Sequence, residues 1–75
     1  MNHMAKIMVT GANGFLGREV MTLLKENNYN YFGVGRDLSI YSNVLCDLSI
    51  PEQVSKVLEK INPEIIINLT ATVDF

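Results

Sequence analysis

The chain has 75 residues, 48% hydrophobic and 19% charged, and its six Lys and Arg against eight Asp and Glu give a net charge of −2. This composition predicts one soluble globular unit and excludes disordered, collagen-like and strongly basic, nucleic-acid-binding chains. No apolar run approaches the ~18 residues of a membrane span and no signal-peptide pattern opens the chain, so we expect a cytoplasmic location without a membrane partner.

The first four residues, Met1 to Met4, have the pattern of an expression scar, with a His-Met pair just before the first apolar run. We therefore keep His3, the only histidine, out of the site analysis and expect the folded part to cover residues 5–75. The single cysteine, Cys46, can form neither an internal disulfide nor a metal site without other ligands beside it, and we expect a core thiol.

The first half of the chain predicts a strand, a helix and a second strand. The near-continuous apolar run Lys6–Thr10 is typical of a parallel strand covered on both faces. A helix is predicted from about residue 15 to residue 27, where the Asn27-Asn28 pair breaks it, and Tyr29–Gly35 predicts a second strand that its two glycines weaken. The residues expected on the buried face of the helix are Leu16, Val20, Leu23 and Leu24.

The second half predicts a short strand, a helix and a long strand. Residues 43–46 favour the short strand, and Ser49 followed by Glu52 has the spacing of a helix capping box, with Pro51 tolerated in the first turn. Pro63 ends this helix, whose apolar face is Val54, Val57, Leu58 and Ile61. The β-branched run at 65–69 predicts a strand near the middle of a sheet.

A glycine-rich segment, Thr10-Gly11-Ala12-Asn13-Gly14-Phe15-Leu16-Gly17, lies between the first strand and the first helix. Gly11 allows a tight turn, Gly14 lets backbone N–H groups approach a pyrophosphate, and Gly17 lets the helix pack closely. The phosphates would sit at the positive end of the helix. This context predicts dinucleotide binding, and the absence of Gly-Lys-Ser or Gly-Lys-Thr excludes a P-loop.

These residues resemble the extended short-chain dehydrogenase/reductases, whose fingerprint T-G-x-x-G-x-x-G is met by Thr10, Gly11, Gly14 and Gly17. The resemblance implies an α/β chain that forms the N-terminal half of a Rossmann doubly wound parallel sheet, in the order β-α-β-β-α-β. Within the family the chain looks most like the dTDP-4-dehydrorhamnose reductase (sugar-nucleotide-binding) branch. The matching elements are the segments 47–52 (DLSIPE) and 62–68 (NPEIIIN).

The segment that follows, 69–75 (LTATVDF), departs from the alanines and acidic stretch usual in that branch, which leaves epimerases, dehydratases and non-catalytic relatives open. By resemblance, Asp47 accepts a hydrogen bond from the adenine amino group and Leu48 lies against the ring. Small residues after the fourth strand would form the floor of the site, under the ribose and nicotinamide side of the cofactor. The expected cofactor-binding residues are Gly11, Asn13, Gly14, Phe15, Leu16, Gly17, Arg36, Asp47, Leu48, Leu69, Thr70 and Ala71.

The end of the second strand indicates the cofactor. NAD binders place an Asp or Glu there for the ribose 2′-hydroxyl, whereas this chain has Gly35 followed by Arg36. The missing carboxylate at the end of the strand and the nearby guanidinium suit a 2′-phosphate, so the sequence favours NADP, with NAD as the alternative. A solvated Arg36 paired with Asp37 is the competing interpretation.

The proton-transferring Tyr-x-x-x-Lys pair of the family has no counterpart, because Gly33, Gly35 and Leu45 stand four residues beyond the three tyrosines. We therefore expect no catalytic residue and no metal ligand here, and the catalytic and sugar-binding part outside this chain. Two hypotheses follow: the nucleotide-binding part of an NAD(P)-dependent oxidoreductase acting on a nucleotide sugar, or a non-catalytic NADP-binding regulatory module. An unpaired sheet edge at 65–69 also makes a homo-oligomer a candidate.

Overall fold

A computed structural model describes residues 5–42 and 44–70. The predicted scar at 1–4, with Asn43 and 71–75, lies outside these residues. The elements follow the predicted order, β-α-β-β-α-β. They are strands β1 (Lys6–Thr10), β2 (Asn30–Gly35), β3 (Val44–Leu45) and β4 (Ile65–Asn68), and helices α1 (Phe15–Glu26) and α2 (Pro51–Ile61).

The four strands form one parallel sheet in the order β3-β2-β1-β4. The first strand is central, with Val9 opposite Gly33 of β2 on one side and Ile67 of β4 on the other. Its run Ile7–Val9 is at most 4% exposed, as the apolar pattern predicted. Because all strands run in one direction, their carboxyl ends meet at a single edge of the sheet.

Each face of the sheet has its own core. One cluster joins Ile7 and Val9 to the α1 residues Met21 and Leu24. The other joins Met8 and Val34 to Cys46 and to Ile61 of α2, whose predicted apolar face packs here. Successive β1 side chains thus supply opposite faces, with one helix on each, and Cys46 is a buried core residue as predicted.

The buried face of α1 differs from the predicted one. Gly17, Met21 and Leu24 are buried, whereas Leu16 and Leu23 are 59% and 58% exposed. The prediction was wrong for these two leucines because α1 turns Gly17 toward the loop after β1, where only a residue without a side chain fits. This contact sets the rotation of the helix and leaves its neighbour Leu16 outside.

The capping box predicted for α2 is not formed. The helix begins at Pro51, its N-cap is Ile50, and no side chain caps it. Proline as the first helical residue fixes the start of α2, which places Ser49 one residue before the N-cap. The Ser49 hydroxyl instead donates to Asp47 Oδ1 at 2.7 Å. The helix ends with Asn62 in the left-handed conformation just before Pro63.

The strand predicted near the middle of a sheet is an edge strand in the described part of the chain. β4 pairs with β1, and Ile65 and Ile66 are 46% and 52% exposed. The helices leave these side chains open, because β4 contributes only Ile67 to the α1-side core and the α2-side cluster draws on the other three strands. The apolar run at 65–69 therefore predicted the strand correctly, but the sheet formed by the described residues covers only part of its side chains.

Candidate functional site

The glycine-rich loop at residues 11–14 turns the chain from β1 into α1 at the carboxyl edge of the sheet. Gly11 has a φ of +74°, which L side chains rarely adopt, and its carbonyl oxygen accepts a hydrogen bond from Gly14 N at 3.1 Å. Gly14 is the N-cap of α1, with extended backbone and no side-chain cap. The first turn of α1 carries no acidic residue, so its positive end is not neutralised locally.

The three glycines of the motif differ in the space around them. A Cβ at Gly17 would overlap the carbonyl oxygen of Gly11 and lie 2.8 Å from Ala12 Cα, and one at Gly11 would lie 2.8 Å from the carbonyl carbon of Leu69. A Cβ at Gly14 would meet only Gly11 O, at 3.3 Å. The first and third glycines are therefore required by packing, while the second keeps the entrance to the helix open.

An open groove of about 420 Å³ runs along the carboxyl ends of the strands beside this loop. It brings together residues that are far apart in the sequence, from the loops after all four strands. Seven predicted residues line it, namely Gly11, Asn13, Gly14, Arg36, Asp47, Leu48 and Thr70, and the other lining residues are Val34, Gly35, Asp37, Cys46 and Ser49.

The remaining predicted residues lie around the groove. Phe15 and Leu16 are in the first turn of α1 with their side chains exposed, and Gly17 is buried under the loop. Leu69 packs on the α1-side core, and its N–H donates to Thr10 O at 3.0 Å. Ala71 lies outside the described residues.

The Asn13 side chain joins the glycine-rich loop to the segment that follows β2. Its Nδ2 donates to the carbonyl oxygen of Asp37 at 2.9 Å, and its Oδ1 accepts from the hydroxyl of Ser39. The backbone carbonyl of Asn13 also accepts from Arg18 Nε at 3.2 Å. These bonds hold Asn13 at the wall of the groove.

Asp47 presents a charged carboxylate at the opposite side of the groove. Its Oδ1 accepts hydrogen bonds from the Ser49 hydroxyl at 2.7 Å and from Ser49 N at 3.0 Å. These two bonds, with a smaller contribution from the positive charge of Arg36, hold the pKa of Asp47 below its usual range. At neutral pH the group is therefore an acceptor, as the predicted contact with an adenine amino group requires.

Ser49 is the groove residue that the sequence analysis assigned to a different role. The spacing Asp47-x-Ser49 matches an Asx turn, in which an aspartate accepts from the backbone two residues on. The Asx-turn pattern competes with the capping-box pattern for the same serine. It is the sequence signal that could have placed Ser49 next to Asp47 in the site.

No helix in residues 5–42 and 44–70 is long and apolar enough to cross a membrane.

Comparisons with known proteins identify the family and the fold. The family model described as the RmlD substrate binding domain matches residues 4–75. The chain is 37% identical over 67 residues to a GDP-6-deoxy-D-talose 4-dehydrogenase of Aggregatibacter actinomycetemcomitans, covering 88% of this chain and 21% of the relative. It is 30% identical over 66 residues to methionine adenosyltransferase 2 subunit beta of Danio rerio, covering 88% of this chain and 20% of that relative.

A solved L-threonine dehydrogenase from Clostridium difficile superposes with a TM-score of 0.77 at 26% identity, covering 96% of this chain and 25% of that one. The predicted Rossmann-type α/β fold is therefore confirmed. The chain spans about a fifth of the length of the curated relatives it matches. It belongs to the RmlD substrate-binding domain family and matches the N-terminal part of the extended short-chain dehydrogenase/reductase family.

Proposed function

We propose that the groove binds a dinucleotide, NADP in preference to NAD, and that the chain is the nucleotide-binding part of an NAD(P)-dependent oxidoreductase acting on a nucleotide sugar, resembling dTDP-4-dehydrorhamnose reductase. The observation that carries the proposal is the convergence of the uncapped N-terminus of α1, Arg36 and Asp47 on one groove. The sugar would bind to a part of the protein outside this chain.

The three groups match the three parts of the ligand. The N-terminus of α1 at Gly14 supplies backbone N–H groups and a positive dipole end for the pyrophosphate. Asp47 supplies a fixed acceptor for the adenine amino group beside Leu48. The side chain of Arg36, directly after β2, supplies a cation for the ribose 2′-phosphate.

Replacing Arg36 with alanine is expected to weaken NADPH far more than NADH, by about 1.5 to 3 kcal/mol, because a charge-assisted bond to the phosphate is lost. Calorimetric titration with both cofactors measures the difference. Arg36→Lys keeps the charge without the bidentate geometry, so its NADPH affinity should lie between those of the wild type and Arg36→Ala. Equal losses for both cofactors in Arg36→Ala would contradict the 2′-phosphate assignment. A rise in NADPH affinity in Asp37→Asn would show that the Asp37 carboxylate competes with the phosphate for Arg36.

Asp47→Asn is expected to weaken NADPH and NADH alike, by about 1.5 to 3 kcal/mol, since a donating amide nitrogen replaces an accepting oxygen while the other oxygen can still accept from Ser49. Because the pKa of Asp47 is lowered, NADH binding to the wild-type chain should stay level below neutral pH and fall only as the pH drops through that lowered pKa. NADPH binding should weaken earlier, because its 2′-phosphate gains a proton at a pH of about 6. Titrations at descending pH test this.

The matched control is Glu59→Gln, which makes the same charge change on the exposed side of α2. A loss in Glu59→Gln as large as that in Asp47→Asn would show that the effect is not specific to the groove, and no loss in Asp47→Asn would remove the adenine contact.

A second candidate function is a non-catalytic NADP-binding or regulatory module. It is favoured by the relative from Danio rerio, which is named as a subunit of a methionine adenosyltransferase and not as a dehydrogenase. A Tyr-x-x-x-Lys pair further along the parent reading frame would favour the oxidoreductase, and its absence would favour the module.

An epimerase or dehydratase remains the alternative within the enzyme class. Cytoplasmic location and self-association through β4 stay predictions.

A further inference from the structure

The segment between β2 and β3, here called the connector (residues 36–42), is a compact turn rather than a helix. Ser39 and Ser42 exchange backbone hydrogen bonds of 3.0 and 3.3 Å. The hydroxyl of Ser39 accepts from the N–H groups of Tyr41 and Ser42 at 2.9 and 3.1 Å. The connector therefore has a defined shape of its own, and it begins with Arg36.

Two glycines of β2 let the connector lie directly on the strand. Gly33 and Gly35 face the same side of the sheet, and a Cβ on Gly33 would overlap the carbonyl oxygen of Tyr41. A Cβ on Gly35 would overlap the hydroxyl of Ser42 and lie 2.8 Å from Nδ2 of Asn13. Ser42 is fully buried, and its Oγ has no hydrogen-bond partner among the described residues. The two glycines therefore leave the space that the connector fills.

The connector is also tied to the glycine-rich loop and to α1. Asn13 holds it through Asp37 and Ser39, as described above. The guanidinium of Arg18 lies 5.8 Å from the centre of the Tyr41 ring, within range of a cation–π contact. Strand, loop and helix therefore all restrain the segment that carries Arg36.

We infer that Gly35, Ser42 and Asn13 form one packed unit that positions Arg36 and so determines which dinucleotide this groove accepts. At Gly35 this packing leaves no space for the Cβ of an acidic side chain, because Ser42 and Asn13 already fill it. Asn13 and Ser42 are positioning residues, which act on the 2′-phosphate through Arg36. This inference rests on the proposed NADP function.

The binding test compares Asn13→Ala, Arg36→Ala and the double variant by calorimetric titration with NADPH and NADH. If Asn13 acts through Arg36, Asn13→Ala lowers NADPH affinity about tenfold more than it lowers NADH affinity, the difference expected for one charge-assisted contact. The double variant should then lose no more NADPH selectivity than Arg36→Ala alone.

The outcomes separate the two proposals. Equal losses of both cofactors in Asn13→Ala, or losses in the double variant that add, would overturn the positioning role while leaving the NADP assignment intact. An Arg36→Ala variant without any change in selectivity would overturn the NADP assignment, and the positioning role with it.

The packing test needs no cofactor. Gly35→Ala should lower the melting temperature by roughly 5–15 °C, because overpacking a site of this kind costs free energy. Ser42→Ala should restore part of that loss, since it removes the overlapping hydroxyl and leaves the Ser42 Cβ at an ordinary 3.4 Å. Gly33→Ala is the matched control: it meets a backbone oxygen, so Ser42→Ala should not rescue it. Absence of rescue at Gly35, or equal rescue at both positions, would overturn the packed unit.

Discussion

Replacing Gly14 with valine is expected to lower NADP(H) affinity by at least about 100-fold, or about 2.7 kcal/mol, while the fold is retained. The branched side chain would fill the space beside the N-terminus of α1 in which the pyrophosphate is proposed to sit. The backbone of Gly14, with a φ of −74°, suits any residue, and a Cβ there meets only Gly11 O at 3.3 Å. Calorimetric titration and circular dichroism measure the two effects separately, and unchanged affinity would remove the loop from the site.

Gly17→Val is the matched control, three residues further along the same motif. Its Cβ would overlap the carbonyl oxygen of Gly11 and crowd Ala12, two backbone positions that cannot move without opening the loop. We expect a loss of about 3 kcal/mol or more in unfolding free energy, at the upper end of overpacking effects, and a weak or absent thermal transition. A native melting curve for Gly17→Val would show that the loop and helix are not packed as described.

The second large effect is an absence of turnover: residues 1–75 alone are expected to oxidise no NADPH with any nucleotide-sugar substrate. Hydride transfer to a sugar ketone needs a proton donor within about 3 Å of the carbonyl oxygen and a pocket that aligns the sugar with the nicotinamide. Tyr29, Tyr31 and Tyr41 are not followed by a lysine at the required spacing. Asp47 is assigned to adenine, so we place no acid of this chain at the reacting carbonyl.

The measurement is NADPH absorbance with the purified chain, and a related dehydrogenase assayed with its own substrate serves as the positive control. The same preparation should still bind cofactor, but weakly, because only the adenosine and pyrophosphate contacts would be made. Turnover that survives removal of contaminating host enzymes would mean that the active site has been misplaced.

Local patterns were sufficient for the element order and the burial of Cys46. Helix and strand periodicity differ clearly, and an apolar run bounded by glycine or proline has few alternatives. The same patterns placed Gly11, Gly14, Arg36 and Asp47 at the carboxyl ends of strands, and these residues do share one groove. Position at the end of a parallel strand is enough to bring side chains to the same edge.

Two predictions failed because a steric constraint acted on the same residues. Leu16 and Leu23 fitted an apolar helix stripe, but the contact of Gly17 with the loop turned them outward. Ser49 fitted a capping box, but Pro51 fixed the helix start and Asp47 engaged the serine. In both cases a steric constraint outweighed a modest preference.

The amino-acid order therefore contained the fold class, the glycine-rich turn and the chemical groups of the proposed dinucleotide site, because these depend on neighbours within a few residues. The rotation of α1, the edge position of β4 and the seating of the connector on Gly33 and Gly35 depend on atoms brought together from distant segments. Two glycines that weaken a strand by propensity are the residues that admit the connector. That reversal follows from close packing, where the space left by a missing side chain is filled by another part of the chain.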